Sequence, residues 1–255
     1  MSFSFYGELC TEVYELTKPI GHSINGDLEF YKQKLAACEG RILEVMVGSG
    51  RVMIPLLEAG FAVDGMDYSP EMLAVCRQHC EARGLQANLV QADLLQLSLP
   101  NLYEAIIIPC GSFLLIEDRQ QSIQALQRLY EHLQPNGRLI VDLFLPNTNF
   151  ELGTFEGTST FHFPNGDLIT MESKLVEVDL FNQYKVSHLK YEKWRNGNLL
   201  QTELQRFATR WYGVEEFKLI LESIGFTDIV VSADYVDGQQ PSNAQQSYTF
   251  EAIRK

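Results

Sequence analysis

Ile42-Leu43-Glu44-Val45-Met46-Val47-Gly48-Ser49-Gly50-Arg51 decides how the rest of the chain is read: a run of buried-strand character breaks into a Gly-Ser-Gly turn and then into helical spacing. Glycine in such a turn lets the backbone come close to a ligand, and the helix that follows offers amide donors with no partner inside the helix. A dinucleotide site would ask for a third glycine in G-x-G-x-x-G, and Met53 stands at that position. The turn therefore points to a ligand at a strand end without pointing to a pyrophosphate.

Outward from this turn, β-branched runs alternate with helical periodicity, the pattern of parallel strands joined by crossover helices. The reading predicts strands at Arg41–Val47, Phe61–Asp67, Ala87–Gln91, Tyr103–Ile108 and Gly137–Leu145. Ser69-Pro70-Glu71 opens a helix that closes at Gly84, and a second helix runs from about Asp118 to Leu133 before the turn signal Pro135-Asn136-Gly137. Residues 8–38 have helical spacing interrupted by Lys18-Pro19-Ile20-Gly21, and form an N-terminal helical cover.

From residue 150 to 212 the period changes. Thr, Val, Phe and Tyr-rich runs are separated by Pro164-Asn165-Gly166, Phe181-Asn182-Gln183 and Asn196-Gly197, which are hairpin signals. The α/β pattern then resumes, with a helix near Val214–Ser223 and strands near Thr227–Ser232 and Tyr248–Ile253. The expected architecture is a doubly wound α/β domain made of 1–149 and 213–255, with an antiparallel β lid inserted at 150–212.

The chain has 255 residues, 45% hydrophobic and 21% charged, enough to build a real core and too apolar for disorder. Its net charge of −13, with no clustered run of Lys or Arg, would repel a phosphate backbone, so no nucleic-acid partner is expected. Five scattered cysteines lack C-x-x-C or zinc spacing, so no metal is expected and a reducing, cytoplasmic setting fits. Cys76 and Cys80 share a helix face but have no further ligands beside them. The first residues carry no secretion pattern, and the longest apolar stretch, Ala105–Ile116, is broken by Pro109 and Gly111, so no membrane association is expected.

Acids stand at the ends of neighbouring strands. Asp67 closes the second strand about twenty residues after the Gly turn, where a carboxylate accepts both hydroxyls of a ribose; a surface acid beside a helix is the alternative. Asp93, after Gln91-Ala92, either accepts from an adenine amino group or is a plain turn residue. Together with Glu44 they suit a ligand that carries an amine, a ribose and an adenine. They suit a pyrophosphate badly, since Arg51 is the only compensating charge in the turn.

Leu43–Arg51, then Gly65-Met66-Asp67-Tyr68-Ser69-Pro70-Glu71-Met72-Leu73, Gln91-Ala92-Asp93, Ile106–Phe113 and Leu133–Arg138 resemble the motifs of class I S-adenosylmethionine-dependent methyltransferases. The resemblance spans nearly all of the α/β portion. It implies a Rossmann-like sheet of seven strands with the last antiparallel, and S-adenosylmethionine as cofactor. It further implies that Glu44, Gly48, Ser49 and Gly50 hold the methionine part, Asp67 the ribose and Asp93 the adenine. Tyr68 and Met72 would flank the base, with Ala92 and Leu94 nearby, and Cys110, Gly111 and Ser112 would line the reaction centre. The chain departs from the family at Met46, where glycine is usual and a side chain would crowd the donor's methionine arm.

Ile108-Pro109-Cys110-Gly111 does not match the Pro-Pro-aromatic segment of enzymes that methylate DNA bases, and the insert resembles the lids of small-molecule N-methyltransferases. The expected activity is methyl transfer to nitrogen or oxygen of a small molecule. A non-catalytic S-adenosylmethionine binder and a nicotinamide-dependent oxidoreductase are the alternatives. No catalytic residue is assigned; Tyr14, His162 and His188 are candidates to take a proton, and the aromatics of the insert read first as its own small core, with Trp194, Trp211 and Tyr212 the candidate pocket walls. Exposed aromatics and a free antiparallel edge in the insert would also suit a homodimer.

Overall fold

Seven strands form the central sheet of the computed structural model, in the order β10-β11-β5-β4-β1-β2-β3, and four more form a separate antiparallel sheet, β6-β7-β8-β9. The structure describes residues 6–146, 150, 152–153 and 155–255, so the expected junction between the two parts falls beside residues outside the described set.

The central strands are β1 (Ile42–Val45), β2 (Val63–Asp67), β3 (Asn88–Gln91), β4 (Tyr103–Ile108), β5 (Leu133–Phe144), β10 (Phe226–Ala233) and β11 (Ser247–Arg254). β1 to β5 pair in parallel, and β11 runs antiparallel to both β5 and β10. The mostly parallel, doubly wound sheet and its antiparallel last strand are as expected.

Successive residues of a strand face opposite sides, and β4 shows why both faces must be covered. Ile106 and Ile108 enter a core with α5 (Arg119–His132) and α6 (Val214–Ile224), beside Phe113, Leu126, Leu129 and Phe217. Ala105 and Ile107 enter the opposite core with α2 (Asp27–Leu35), α3 (Met53–Glu58) and α4 (Pro70–Ala82), beside Tyr31, Met53, Ile54 and Leu73.

Local chemistry sets the helix starts. The Ser69 hydroxyl accepts from the Met72 amide at 3.1 Å with Pro70 in the first turn, and the Asp118 carboxylate accepts from the Gln121 amide at 2.8 Å. One boundary differs from expectation. Pro135-Asn136-Gly137 does not end a helix and start a strand; β5 begins at Leu133, and the segment forms a bulge whose register jumps between Tyr103 and Ala105 on β4.

The antiparallel sheet comprises β6 (Phe155–His162), β7 (Leu168–Asp179), β8 (Tyr184–Arg195) and β9 (Asn198–Arg210). Its apolar face does not pack on the central sheet. Ile169 and Tyr191 pack on Leu9, Cys10 and Val13 of α1 (Glu8–Thr17). Polar ties complete this union: the Leu9 amide donates to Glu203 at 3.0 Å, and the Lys193 ammonium pairs with Glu12 at 2.8 Å.

Candidate functional site

The carboxyl ends of β1, β2, β3 and β4 bring the expected site residues to one edge of the sheet, where open α/β folds bind ligands. Asp67 organises this edge. One carboxylate oxygen accepts from the Gly48 amide at 2.8 Å and the other from the Ser69 amide at 2.9 Å, so a single side chain fixes the glycine turn against the start of α4. Burial raises its pKa and the amide donors oppose that rise.

The turn itself depends on left-handed backbone. Gly48 and Gly50 have φ of 55° and 92°, and a Cβ at Gly50 would stand 2.8 Å from Cys76 Sγ and 2.9 Å from Ile54 Cδ1. Met46 is also left-handed, at φ 57°, a conformation that costs an L side chain roughly 1–2 kcal/mol. It thus adopts backbone suited to glycine while carrying a side chain that lines the cavity above the turn.

That cavity measures about 80 Å3 and is bounded by Met46, Gly48, Asp67, Tyr68, Met72 and Ser112, with Leu115 and, from the N-terminal segment, Tyr6 and Tyr14. Tyr6 and Leu115 were missed by sequence reasoning. Tyr6 reaches the site by a contact across the fold, its carbonyl accepting from the Ser69 hydroxyl at 2.9 Å, and no local spacing signals such a contact.

Below the cavity lies a buried charge cluster. The Arg51 guanidinium makes two bonds to Asp27, at 2.6 and 3.2 Å, and donates to the His22 carbonyl at 2.7 Å. The one cation of the turn is therefore committed to Asp27, which argues against the phosphates of a nicotinamide dinucleotide. Glu44 is buried beside this pair with its Oε2 unpartnered, and burial pushes its pKa up to about 8, with Arg51 opposing and Asp27 and Asp67 adding to the rise. Ser49 Oγ is likewise buried without a partner. Buried polar groups without partners are costly; Glu44 stands in β1 and Ser49 in the turn, and neither bounds the cavity itself.

The remaining expected residues divide. Asp93 caps a short helix through the Leu95 amide at 2.9 Å, Ala92 donates its amide to the Asp67 carbonyl at 3.0 Å, and Leu94 is buried in the core. Cys110 and Gly111 are consecutive left-handed residues, at φ 60° and 68°, held by a 2.9 Å bond from the Cys110 amide to Asp142. None of these five bounds the cavity directly.

Among candidate proton acceptors, Tyr14 lines the site, whereas His162 is exposed on β6 and His188 lies mid-β8 away from the described cavities. The candidate aromatic walls are elsewhere too. Tyr212 is buried against Phe113 and Phe217, Trp211 stacks on Phe150 with centroids 5.7 Å apart, and Trp194 donates to Thr170. Tyr212 and Trp211 flank the junction between β9 and α6, where Tyr212 is part of the core and Trp211 is half-buried.

Comparison with known proteins agrees with this geometry. Residues 42–137 match the family model of a methyltransferase domain. The Bacillus subtilis protein YqeM, which bears a methyltransferase name, is 26% identical over 84% of each chain, and the demethylmenaquinone methyltransferase of Thermus thermophilus is 39% identical over 42% of this chain and 48% of its own. The sugar N-methyltransferase KedS8 of Streptoalloteichus superposes with a TM-score of 0.74 at 19% identity, over 100% of this chain and 98% of the other. The match places a methyltransferase domain at residues 42–137, on a fold shared with solved S-adenosylmethionine-dependent methyltransferases.

S-adenosylmethionine is bound in the solved structure of an amino pentose methyltransferase that shares this fold, with a TM-score of 0.67 at 16% identity over 100% of each chain, and the site here has residues to set against such a donor. It offers the unpartnered buried oxygen of Glu44, the Asp67 carboxylate at the second strand end, and open space beside the Gly48 backbone, whereas at Gly50 Cys76 and Ile54 fill the place of a Cβ. All five cysteines are free, and among the described residues no group of His, Cys, Asp and Glu is arranged to hold a metal. Among those residues, too, no helix is long and apolar enough to cross a membrane.

Proposed function

We propose that this methyltransferase transfers a methyl group to nitrogen or oxygen of a small molecule bound between α1 and the antiparallel sheet. The observation that carries this reading is a second cavity, of about 230 Å3, that shares Tyr6 and Tyr14 with the first. Two adjoining cavities separated by two side chains suit a donor and an acceptor that must meet. The net charge of −13 favours a small acceptor over a nucleic acid, and the names of sugar and glycine/sarcosine N-methyltransferases among its likenesses favour nitrogen.

In this reading Glu44 and the Gly48-Ser49-Gly50 turn hold the methionine part of the donor, Asp67 the ribose hydroxyls, and Asp93 the adenine amino group. Tyr68 and Met72 flank the base beside Ala92 and Leu94, while Cys110, Gly111 and Ser112 border the reaction centre. The first cavity, at about 80 Å3, lies well below the roughly 300–1,000 Å3 of pockets that take ligands of the donor's size, so Tyr6, Tyr14 and Met46 withdraw to admit the donor.

When bound, the sulfonium supplies an already activated methyl group, and its carbon–sulfur pair stays on sulfur as the methyl leaves. The protein's task is alignment at about 3 Å and exclusion of water. The acceptor lone pair forms the new bond, and the proton then lost from the acceptor passes to solvent; burial pushes the Tyr14 hydroxyl up to about 12, so that side chain keeps its own proton and positions rather than accepts. An amine that arrives neutral needs no dedicated base. The test uses donor labelled in the methyl group and incubated with a pool of small metabolites. Label should appear in a low-molecular-weight product, with S-adenosylhomocysteine formed in equal amount. Donor binding without any transfer would leave a binding protein.

A further inference from the structure

The second cavity is apolar on most of its surface, with Phe161, Met171, Leu189 and Phe207 of the antiparallel sheet facing Val13 of α1. Its polar groups are largely committed within the protein. The Thr17 hydroxyl donates to the Val13 carbonyl at 2.8 Å, and the Tyr191 hydroxyl donates to Cys10 Sγ at 3.5 Å. Two groups on the wall remain. Gln205 is 1% exposed and its carbonyl oxygen has no hydrogen-bond partner. Lys18, at the end of α1, makes no ion pair among the described residues; its ammonium lies 4.9 Å from the centre of the Tyr14 ring, an aromatic face rather than a carboxylate.

Although the chain has 33 acidic and 20 basic residues, no carboxylate pairs with Lys18 at the wall of this apolar cavity among the described residues. Its thiol neighbours do not neutralise it, since burial pushes Cys10 up to about 11 and raises Cys110 as well. A hydroxyl-rich sugar would strand most of its polar groups against these walls, because one acceptor and one ammonium cannot satisfy them. Size argues the same way, since about 230 Å3 falls below the roughly 300–1,000 Å3 of pockets that take drug-sized ligands.

Resting on the methyl-transfer reading above, we infer that the acceptor is an amino-acid-sized, ring-bearing acid, its carboxylate paired with Lys18, an N–H or O–H donated to Gln205, and its ring against Phe161, Met171 and Phe207. Lys18 then acts as a specificity residue, selecting acids over their neutral counterparts.

Calorimetry on the full chain saturated with S-adenosylhomocysteine tests this, with anthranilate and 4-hydroxyphenylacetate titrated against their neutral amides. Each acid should bind at least ten-fold more tightly than its amide. Lys18→Met should abolish that preference, Lys18→Arg should retain it, and Gln205→Leu should weaken acid and amide alike. Binding of S-adenosylhomocysteine should be the same in wild type and Lys18→Met, which also shows that the variant folds. Acids that bind no better than amides, or a preference that survives Lys18→Met, would overturn the inference while leaving the donor site intact. Failure of S-adenosylhomocysteine itself to bind would overturn the methyl-transfer reading first and this inference with it.

Discussion

At the tips of β1 and β2 the side chains that face the donor cavity are fixed by bonds between neighbouring strands and turns. Asp67 ties the Gly48 and Ser69 amides, and Gly50 packs against Cys76 and Ile54 with no room for a Cβ. The cover above is built differently. α1 lies on the antiparallel sheet through Leu9, Cys10 and Val13, the Glu203 cap and the Lys193–Glu12 pair, contacts that join residues more than 150 positions apart. Partly exposed ion pairs and a small apolar cluster can open at lower free energy than a buried sheet edge. The contrast is one of construction: bonds between neighbouring strands and turns at the sheet edge, and in the cover a small apolar cluster and ion pairs between segments far apart in the chain.

Gly50→Val should cost roughly 2–5 kcal/mol, combining left-handed strain in a β-branched residue with overpacking. A denaturant midpoint shifted by less than about 1 kcal/mol would show that the turn yields as readily as the cover and would break the comparison. Asp67→Ala should leave the fold cooperative yet weaken S-adenosylhomocysteine binding by about 1–3 kcal/mol, with Asp67→Asn intermediate. Unchanged affinity by calorimetry would remove the ribose assignment.

Glu44 gives a pH test of the same edge. Its folded pKa of about 8 lies above the ordinary 4.5, so the folded protein keeps a proton that the unfolded chain releases. The associated stability is whole below about pH 4.5, falls as pH rises toward 8, and is level beyond. Glu44→Gln should flatten that decline, read from urea midpoints between pH 5 and 9 at intervals of about one unit; parallel profiles would mean that Glu44 is ionised throughout. The smallest effect belongs to the cover. Lys193→Met should change global stability by less than about 1 kcal/mol but speed hydrogen exchange in α1. Uniform exchange across α1 and β1 would erase the distinction between the two regions.

The strand from Ile42, its turn and the acid at Asp67 were legible because a parallel strand-turn-helix unit writes its chemistry in consecutive residues. Hairpins of the insert were legible for the same reason, through Asn-Gly turns. Core or pocket wall was left open for Trp194, Trp211 and Tyr212, because an aromatic reads alike along the sequence whether it faces a cavity or a core. Tyr212 faces the core here because its hydroxyl meets Ser122 and its ring meets Phe217.

The order of residues alone determined the alternation of strands and helices, the acids at strand ends and the net charge of −13, all of which depend on near neighbours or on sums over the chain. Tertiary structure decided that Tyr6 and Tyr14 stand between two cavities, that Arg51 is consumed by Asp27, and that Lys18 and Gln205 face an apolar space unpaired. Those facts arise where segments distant along the chain are pressed together, and a side chain's partner there depends on which surface folds against it.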